Sequence, residues 1–193
     1  MDKKGLFSEE IKKEALGEWK SIAVEVRPSA FKNPDGSLKP FYLTREFTYL
    51  QDDGFQLEII NYADALGQIP LVKMLIKGSM EWEGDHPIAA GAQKVNFTAD
   101  KAYEVMPLND AFTGMLNTLA KENFETWETG RSQNIFKKAF VPFGLKEGDV
   151  FKEYDLIYLY NDMMFWGARN IDGRGFDTEE NRPVNLQIPM VRK

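Results

Sequence analysis

Most of this chain is a succession of short segments in which apolar and polar residues alternate, with turn signals between them. Phe55, Leu57 and Ile59 alternate with polar residues directly after the turn at residues 51–54, Gln-Asp-Asp-Gly. Alternation with a period of two is typical of a half-buried β-strand, and an Asp-Gly turn favours a tight hairpin. The pattern recurs at short intervals along the chain, which constrains it to a fold of consecutive antiparallel strands.

Counting these segments predicts about nine strands, with a short helix within residues 1–16 and a helical insertion within residues 108–125. Asn109 is a suitable N-terminal cap for the second helix. Consecutive hairpins remove their exposed edges by closing into a ring. We therefore expect a mainly β fold, an antiparallel curled sheet or lipocalin-like β-barrel of about 8–10 strands, formed by residues 1–193 as a single domain. The predicted strands cover residues 17–28, 41–50, 55–62, 71–80, 91–97, 101–105, 154–160, 163–168 and 186–192.

The charge balance and the missing cysteines exclude several classes of protein. The chain has 24 Lys and Arg against 30 Asp and Glu, whereas nucleic-acid binding requires a concentrated basic face. It has no cysteine, so disulfides, thiolate catalysis and cysteine metal sites are excluded. No apolar run reaches the roughly 18 residues of a membrane-spanning helix, and the N-terminus lacks the apolar core of a secretory signal. We expect a cytoplasmic protein with no nucleic-acid partner and no transmembrane segment.

The first predicted strand places charged residues on the same face as a tryptophan. Counted by twos, Trp19, Glu25 and Arg27 share one face. If that face is the interior, the Glu25 carboxylate must be paired or neutral, because an isolated buried carboxylate costs several kcal/mol. Its candidate partners are Arg27, Arg45 and Arg169. Such a cluster is either a conformational lock at one end of the barrel or a clamp for a ligand headgroup, since arginine binds carboxylates and phosphates bidentately.

Two residues at the ends of the chain resemble a lipocalin feature. Gly17-x-Trp19 opens the first strand and Arg192 lies near the C-terminus, an arrangement similar to the lipocalin arginine that stacks over a tryptophan at the closed end of the barrel. A tryptophan that plugs the barrel floor by packing alone is the alternative.

An aromatic run ending in a glycine-rich loop occupies residues 163–177. Residues 163–166 are interpreted as a strand of the barrel wall, and residues 169–177 as a charged loop at its rim. The loop carboxylates could bind Ca²⁺, but their spacing differs from an EF-hand loop and nearby arginines would neutralise the site. We expect no metal and no cofactor. Interior side chains that could line a cavity or fill a solid core are Phe55, Leu57, Ile59, Met74, Ile76, Met163, Met164, Phe165 and Trp166.

His86 is the only histidine of the chain and lies in the sequence Gly-Asp-His-Pro. The flanking glycine and proline indicate a loop, and a zinc site would need carboxylates from distant positions. His86 and Glu25 are the candidate catalytic residues if the barrel is a reaction chamber. That hypothesis requires a carboxyl group whose pKa is raised by burial.

Two blocks of sequence carry a resemblance to a known family. The first comprises Gly17-x-Trp19-x-Ser21, then Glu-Val-Arg-Pro at 25–28, Phe-Tyr-Leu-Thr-Arg-Glu-Phe at 41–47 and Tyr-Ala-Asp at 62–64. The second comprises Gly-Ala-Arg at 167–169, Asp-Gly at 172–173, Arg-Pro at 182–183 and Leu-Gln-Ile-Pro-Met-Val at 186–191. Together they resemble the family of the adenomatosis polyposis coli down-regulated protein. They cover both ends of the chain, while the central helical region is less distinctive.

The resemblance implies a β-barrel with a hydrophobic cavity that holds a lipid or acyl chain. The animal members look like secreted, membrane-anchored antagonists of lipidated Wnt ligands, built from tandem copies of the domain. This sequence has Val24 and Gly67 where the animal pattern has cysteines, and Ala65 where it has proline. The loss of both cysteines fits a reducing compartment. These departures leave the barrel as the expectation and exclude carrying over a Wnt role.

From the residues and the resemblance together we predict that the barrel cavity binds a hydrophobic or amphipathic small molecule, a fatty acid or lipid. The alternatives are a barrel-chamber isomerase or hydrolase acting on a hydrophobic substrate, and a protein-interaction domain with a solid core. The predicted ligand contacts are Trp19, Glu25, Arg27, Arg45, Phe47, Tyr62, Phe165 and Arg169.

Overall fold

The computed structural model describes residues 3–193 and contains two helices and ten strands within them. Neither helix in this part of the chain is long and apolar enough to cross a membrane. The elements, in chain order, are α1 (Lys3–Ala15), β1 (Gly17–Ser21), β2 (Glu25–Lys32), β3 (Leu38–Tyr49), β4 (Gly54–Tyr62), β5 (Pro70–Asp85), β6 (Gln93–Pro107), α2 (Asp110–Leu119), β7 (Gln133–Asn134), β8 (Lys152–Tyr160), β9 (Met163–Trp166) and β10 (Met190–Arg192).

The strands form one antiparallel sheet that closes on itself. Its order is β1-β10-β9-β8-β6-β5-β4-β3-β2, with β7 beside β6. β1 also pairs with β3, placing Trp19 opposite Phe47, and this second pairing joins the two ends of the sheet into a ring. The expected mainly β, barrel-like fold with two helices is confirmed.

Four of the predicted strands differ most from the observed ones. The first is interrupted at residues 22–24, so that β1 and β2 both pair with β3. Residues 91–97 and 101–105 belong to one strand, β6. The residues between them form no turn but continue the strand, with a shift of register opposite Gly78. A Cβ on Gly78 would lie 1.8 Å from the Thr98 carbonyl oxygen. The last strand begins only at Met190, since Pro189 has no N–H for the ladder.

The helical insertion is shorter than predicted. Asn109 caps α2 as expected, accepting a 2.8 Å hydrogen bond from the Phe112 N–H. The helix ends at Leu119 and not near residue 125. Asn123 adopts a positive φ of 69°, which no helix accommodates, and the Trp127 indole N–H donates to the Ala120 carbonyl. Those two features turn the chain back towards β6.

The interior is filled largely by aromatic rings around Phe47. The Phe47 ring centroid lies 5.2 Å from Tyr49, 5.9 Å from Phe97 and 4.2 Å from Trp166. A second group, with Leu116, Trp127, Ile135 and Phe140, packs in the same core beside α2. The barrel therefore has a continuous core.

The end of the barrel beside α1 is closed by Trp19 and Arg192. Trp19 is 1% exposed and its indole N–H donates a 2.7 Å hydrogen bond to the Ala15 carbonyl. The Arg192 Cζ lies 4.3 Å from the Trp19 ring centroid, and its guanidinium donates to the carbonyls of Glu14 and Leu16. The predicted arginine–tryptophan stack is confirmed, and it fastens the last turn of α1 to the barrel. We call this the closed end.

Candidate functional site

Glu25 lies at the centre of a buried ion cluster in the half of the barrel away from the closed end. Its Oε1 accepts hydrogen bonds from Arg45 Nε at 2.8 Å and Ser21 Oγ at 2.9 Å. Its Oε2 accepts from Arg27 Nε at 3.1 Å and Nη2 at 2.7 Å. Glu25 is 0%, Arg45 4% and Arg27 8% exposed. Two of the three candidate partners of Glu25 are therefore confirmed, and Arg169 is not in contact with it.

The strand register explains why these side chains meet. Glu25 pairs with Leu43 and Arg27 with Phe41 across β2 and β3, and directly opposed residues of an antiparallel pair point to the same face. Arg45 is the next inward residue of β3. Ser21, at the end of β1, completes the cluster because its Oγ accepts the Arg45 backbone N–H at 2.9 Å.

The electrostatics of Glu25 favour a structural role. Burial alone would raise its pKa, but the charges and hydrogen bonds of Arg45 and Arg27 outweigh burial and lower the pKa to about 2. The carboxylate is ionised at neutral pH and already accepts four hydrogen bonds. General acid–base catalysis works best with a pKa near the operating pH. Glu25 is thus arranged to hold two arginines and not to transfer protons.

Three buried polar atoms beside this cluster form no well-aligned hydrogen bond with a described residue: Arg45 Nη2, Tyr49 OH and Trp166 Nε1. They are neighbours, since the Arg45 Cζ lies 4.6 Å from the Trp166 ring centroid and the Tyr49 and Trp166 centroids are 6.5 Å apart. Burial raises the pKa of Tyr49, and a weak hydrogen bond from the Trp166 indole opposes that rise. Buried polar groups in native proteins are nearly always satisfied, by protein or by water. We call these three residues the donor set, because each can donate a hydrogen bond inwards.

An apolar cleft begins beside the donor set. Its enclosed volume is about 20 Å³, the room that one water molecule occupies. Phe151, which is 38% exposed, lies between this cleft and the solvent. The residues lining the apolar cleft are Phe47, Phe55, Leu57, Ile76, Phe97, Ala99, Phe151, Glu153 and Trp166.

Two carboxyl groups of β8 enter the interior, and the sequence analysis missed both. Asp155 Oδ1 accepts the backbone N–H groups of Leu156 at 2.7 Å and Gly167 at 2.9 Å. Burial, reinforced by the charge of Glu153, raises the pKa of Asp155 to about 7. Counting by twos back from the inward Ile157 would have found both carboxyls, because 153, 155 and 157 share one strand face.

Glu153 is the carboxyl group that lines the apolar cleft. Its side chain has no hydrogen bond or ion pair with another described residue. Burial raises its pKa, and the charges of Arg27, Arg45 and Arg169 oppose that rise without cancelling it. The raised pKa that a barrel-chamber enzyme would require is therefore found at Glu153 and Asp155.

Arg169 lies at the end of the interior opposite the closed end, which we call the barrel mouth. Its Cζ is 5.4 Å from the ring centroid of Phe41, the cross-strand neighbour of Arg27. Its Nε donates to the Gly173 carbonyl at 2.8 Å. Burial, followed by the positive charge of Arg27, lowers the pKa of Arg169, as expected for two guanidinium groups held close together.

The other proposed site residues lie elsewhere. Phe47 is central to the core, and Trp19 belongs to the closed end. Tyr62 and Phe165 lie on the outer face of the barrel, where Tyr62 OH is 3.2 Å from Thr44 Oγ1 and Phe165 packs on Tyr158. Strand alternation explains the placement of Phe165, because Met164 and Trp166 on either side of it are the inward residues of β9.

His86 stabilises a loop outside the interior. It is 5% exposed, and its Nδ1 accepts the Ile88 N–H at 3.2 Å. Burial and then the charge of Arg182 lower its pKa, so the imidazole is neutral at pH 7. No carboxylate or hydroxyl hydrogen bond to His86 is present among the described residues, which separates it from a catalytic triad.

Arg182 is a buried arginine that the sequence analysis did not assign. Its Nη1 donates to the Asp155 carbonyl at 2.6 Å, and its Nη2 to Glu83 at 2.6 Å and Asn96 at 2.9 Å. These bonds fasten the long loop after β9 to the outside of β6 and β8. The loop in turn positions Arg169 at the barrel mouth.

Among the residues that the structure describes, no group of three or more acidic or histidine side chains is placed to hold a metal ion. The candidate site therefore consists of the buried arginines, the interior carboxyl groups, the donor set and the apolar cleft. No protein-family model matches this chain.

Proposed function

We propose that this protein binds a hydrophobic or amphipathic small molecule, a fatty acid or related lipid, inside the barrel. The donor set is the observation that carries the proposal. Arg45 Nη2, Tyr49 OH and Trp166 Nε1 are buried without a well-aligned hydrogen bond, and leaving a buried donor unsatisfied costs about 1–3 kcal/mol. An oxygen along the ligand, separate from its charged end, or a water enclosed with the ligand would remove that cost. The resemblance to the adenomatosis polyposis coli down-regulated family supports the same proposal.

Binding requires the apolar cleft to open. Its present volume of about 20 Å³ is far below the roughly 300 Å³ or more of typical small-molecule sites. The lining includes Phe151, which is partly exposed, and a change of its rotamer would join the cleft to the solvent. In this proposal the ligand's apolar part displaces Phe151 and packs on Phe97 and Ile76.

The test uses lipid extraction and a fluorescent fatty acid. Purified full-length protein is extracted with organic solvent, and 11-(dansylamino)undecanoic acid is titrated into lipid-free protein. We expect co-purified lipid and a micromolar Kd for the probe. Ala99→Val narrows the apolar cleft and should weaken probe binding. Ala102→Val is the control, because Ala102 lies on the outer face of β6 and its substitution should leave probe binding unchanged. An extract without lipid together with no probe binding at micromolar concentration would reject the proposal.

A protein-interaction domain with a solid core is the second candidate, and the small interior volume favours it. Its surface carries large apolar side chains, among them Phe31 at 76%, Leu66 at 76% and Ile171 at 91% exposed. Exposed apolar residues, when contiguous, mark interaction sites. The two candidates separate cleanly, because a solid core leaves the dansyl probe unbound and Ala99→Val without effect on it.

A further inference from the structure

We propose that the polar end of the ligand is a carboxylate, bound at the barrel mouth by Arg169 with Arg27 behind it, and that Glu153 takes up a proton when this carboxylate binds. The inference rests on the proposed ligand site and adds to it the ligand's charge, the place of its headgroup and a linked proton. Three observations support it: the orientation of Arg169, the balance of charges inside the barrel, and the Glu153 carboxyl group, which has no hydrogen-bond partner among the described residues.

The guanidinium of Arg169 is held by one edge only. Its Nε donates to the Gly173 carbonyl, and its Cζ lies 5.4 Å from the Phe41 ring centroid. Its Nη1 and Nη2 have no acceptor among the described residues, although three carboxyl groups lie in the same half of the barrel. Two parallel N–H groups are the arrangement that binds a carboxylate bidentately. Arg169 is therefore oriented and unoccupied.

The turn that holds Arg169 is itself fixed. Gly173 has a φ of 79°, and a Cβ there would lie 2.3 Å from the Ser29 carbonyl oxygen. The turn thus packs directly on the backbone of β2. An arginine held in place before the ligand arrives loses little side-chain entropy on binding, so the barrel mouth is preorganised for an anion.

The titratable groups of the interior and the barrel mouth come from five parts of the chain. They are Glu25 and Arg27 on β2, Arg45 and Tyr49 on β3, Tyr103 on β6, Glu153 and Asp155 on β8, and Arg169 and Asp177 in the loop after β9. The tyrosines are neutral, because burial raises the pKa of Tyr49 and of Tyr103.

The balance inside the barrel leaves room for an added anion. Three arginines face three interior carboxyl groups, with Asp177 as a fourth near Arg169 in the loop after β9, and only Glu25 is engaged by arginine hydrogen bonds. When Glu153 is protonated, the arginines have an uncompensated positive charge that a ligand carboxylate can neutralise. A negative charge placed beside Glu153 raises its pKa further, and by linkage the proton strengthens the binding of the anion by the same factor.

Glu153 is the carboxyl group free to respond. Glu25 accepts four hydrogen bonds, and Asp155 is held by two backbone N–H groups. Glu153 has neither kind of partner and lines the apolar cleft that the ligand chain would enter. Its protonation therefore breaks no hydrogen bond of the protein.

The experiment compares a charged probe with its neutral counterpart. 11-(Dansylamino)undecanoic acid and its methyl ester are titrated into full-length protein at pH 6 and pH 8, a range in which the free acid stays ionised. We expect the acid to bind about tenfold more tightly at pH 6 than at pH 8, since one linked proton changes affinity by up to tenfold per pH unit, and the ester to be insensitive to pH. Calorimetry in two buffers of different ionisation enthalpy should show net proton uptake with the acid.

Variants assign the two roles. Glu153→Gln should bind the acid with much less proton uptake and a weaker pH dependence, because Asp155, with a pKa of about 7, is then the remaining carboxyl group that titrates nearby. Arg169→Gln should weaken the acid about tenfold and leave the ester unchanged, while Arg174→Gln, which alters an exposed arginine of the same loop that pairs with Asp172, should change neither.

Several outcomes would overturn the inference. Equal pH dependence of the acid and the ester on the unmodified protein would overturn it. Proton uptake that is undiminished in Glu153→Gln would overturn it as well. If neither probe binds, the proposed function fails and this inference with it; if both bind alike, only the inference fails.

Discussion

At the scale of single residues, one carboxylate holds the barrel mouth together. Glu25 joins Arg27 on its own strand to Arg45 on the next. Two arginines buried in an apolar interior would be costly without it, because the desolvation of a charge is offset only by a well-placed partner. The cluster ties β2 to β3 just beyond the interruption after β1, where the backbone ladder is broken.

The first prediction concerns Glu25→Gln. Removing the charge leaves two buried guanidinium groups uncompensated, so the free energy of unfolding should fall by about 3–5 kcal/mol, measured by urea unfolding at pH 7. Glu58→Gln is the matched control, since Glu58 pairs with Lys73 at a half-exposed position and such pairs contribute about 1 kcal/mol or less. Equal losses in the two variants would contradict the buried lock.

The second prediction concerns the closed end. Arg192→Met removes the stack over Trp19 and two hydrogen bonds to α1, and should cost about 2–3 kcal/mol. Lys193→Met, next in sequence, removes only an exposed ion pair with Glu46 and should leave the stability nearly unchanged. Thermal unfolding of both variants tests this. Indistinguishable melting temperatures would show that the contacts of Arg192 with Trp19 and α1 do not stabilise the fold.

At the scale of elements, the long loop after β9 crosses β8 and β9 at Gly167, and this crossing requires a residue without a side chain. A Cβ on Gly167 would lie 1.9 Å from Pro183 Cγ and 2.4 Å from Asp155 Oδ1. The loop, β8 and β9 meet at this point, where Gly167 also bridges to Leu186. The glycine after the aromatic strand is therefore a packing requirement.

The third prediction follows from that contact. Gly167→Ala should destabilise the fold by about 2–3 kcal/mol, because neither the proline ring nor the hydrogen-bonded carboxyl can move away cheaply. Gly114→Ala is the matched control: Gly114 lies within α2 with nothing near its missing Cβ, so alanine should stabilise the helix by about 0.5–1 kcal/mol. Chemical denaturation should show a lower free energy of unfolding for Gly167→Ala and a higher one for Gly114→Ala. An unchanged free energy of unfolding in Gly167→Ala would contradict the close contact at Gly167.

How far the sequence predicted these elements depended on the kind of signal. Period-two alternation and tight turns predicted the barrel and most strands, and the resemblance to lipocalins predicted the arginine over Trp19. Side-chain direction failed where alternation was not followed residue by residue, as at Phe165 and Glu153. The bulge opposite Gly78 could not be predicted, because it depends on the register between β5 and β6, which local sequence does not carry.

At the scale of the whole molecule, interior carboxyl groups with opposite pKa shifts set the pH dependence of stability. The pKa of Glu25 is lowered to about 2, so its contribution is present above its unfolded pKa near 4.5 and is lost as pH falls towards 2. The pKa of Asp155 is raised to about 7. Between its unfolded pKa near 3.8 and pH 7 the folded state holds the extra proton, so stability decreases as pH rises.

The last prediction combines the two signs. The folded protein should be most stable near pH 4, where the gain from ionising Glu25 and the loss from ionising Asp155 in the unfolded chain balance, and should lose on the order of 3 kcal/mol between pH 5 and pH 8 through Asp155. Asp155→Asn keeps an oxygen to accept the Leu156 and Gly167 N–H groups but cannot ionise, so it should stabilise the fold at pH 8, stabilise it by clearly less at pH 5, and move the optimum towards neutrality. Thermal unfolding of both proteins from pH 3 to pH 9 measures this. The prediction is wrong if the stability of the wild-type protein rises from pH 5 to pH 8, or if Asp155→Asn changes the stability equally at both pH values. Either result would mean that the pKa of Asp155 does not differ between the folded and the unfolded state.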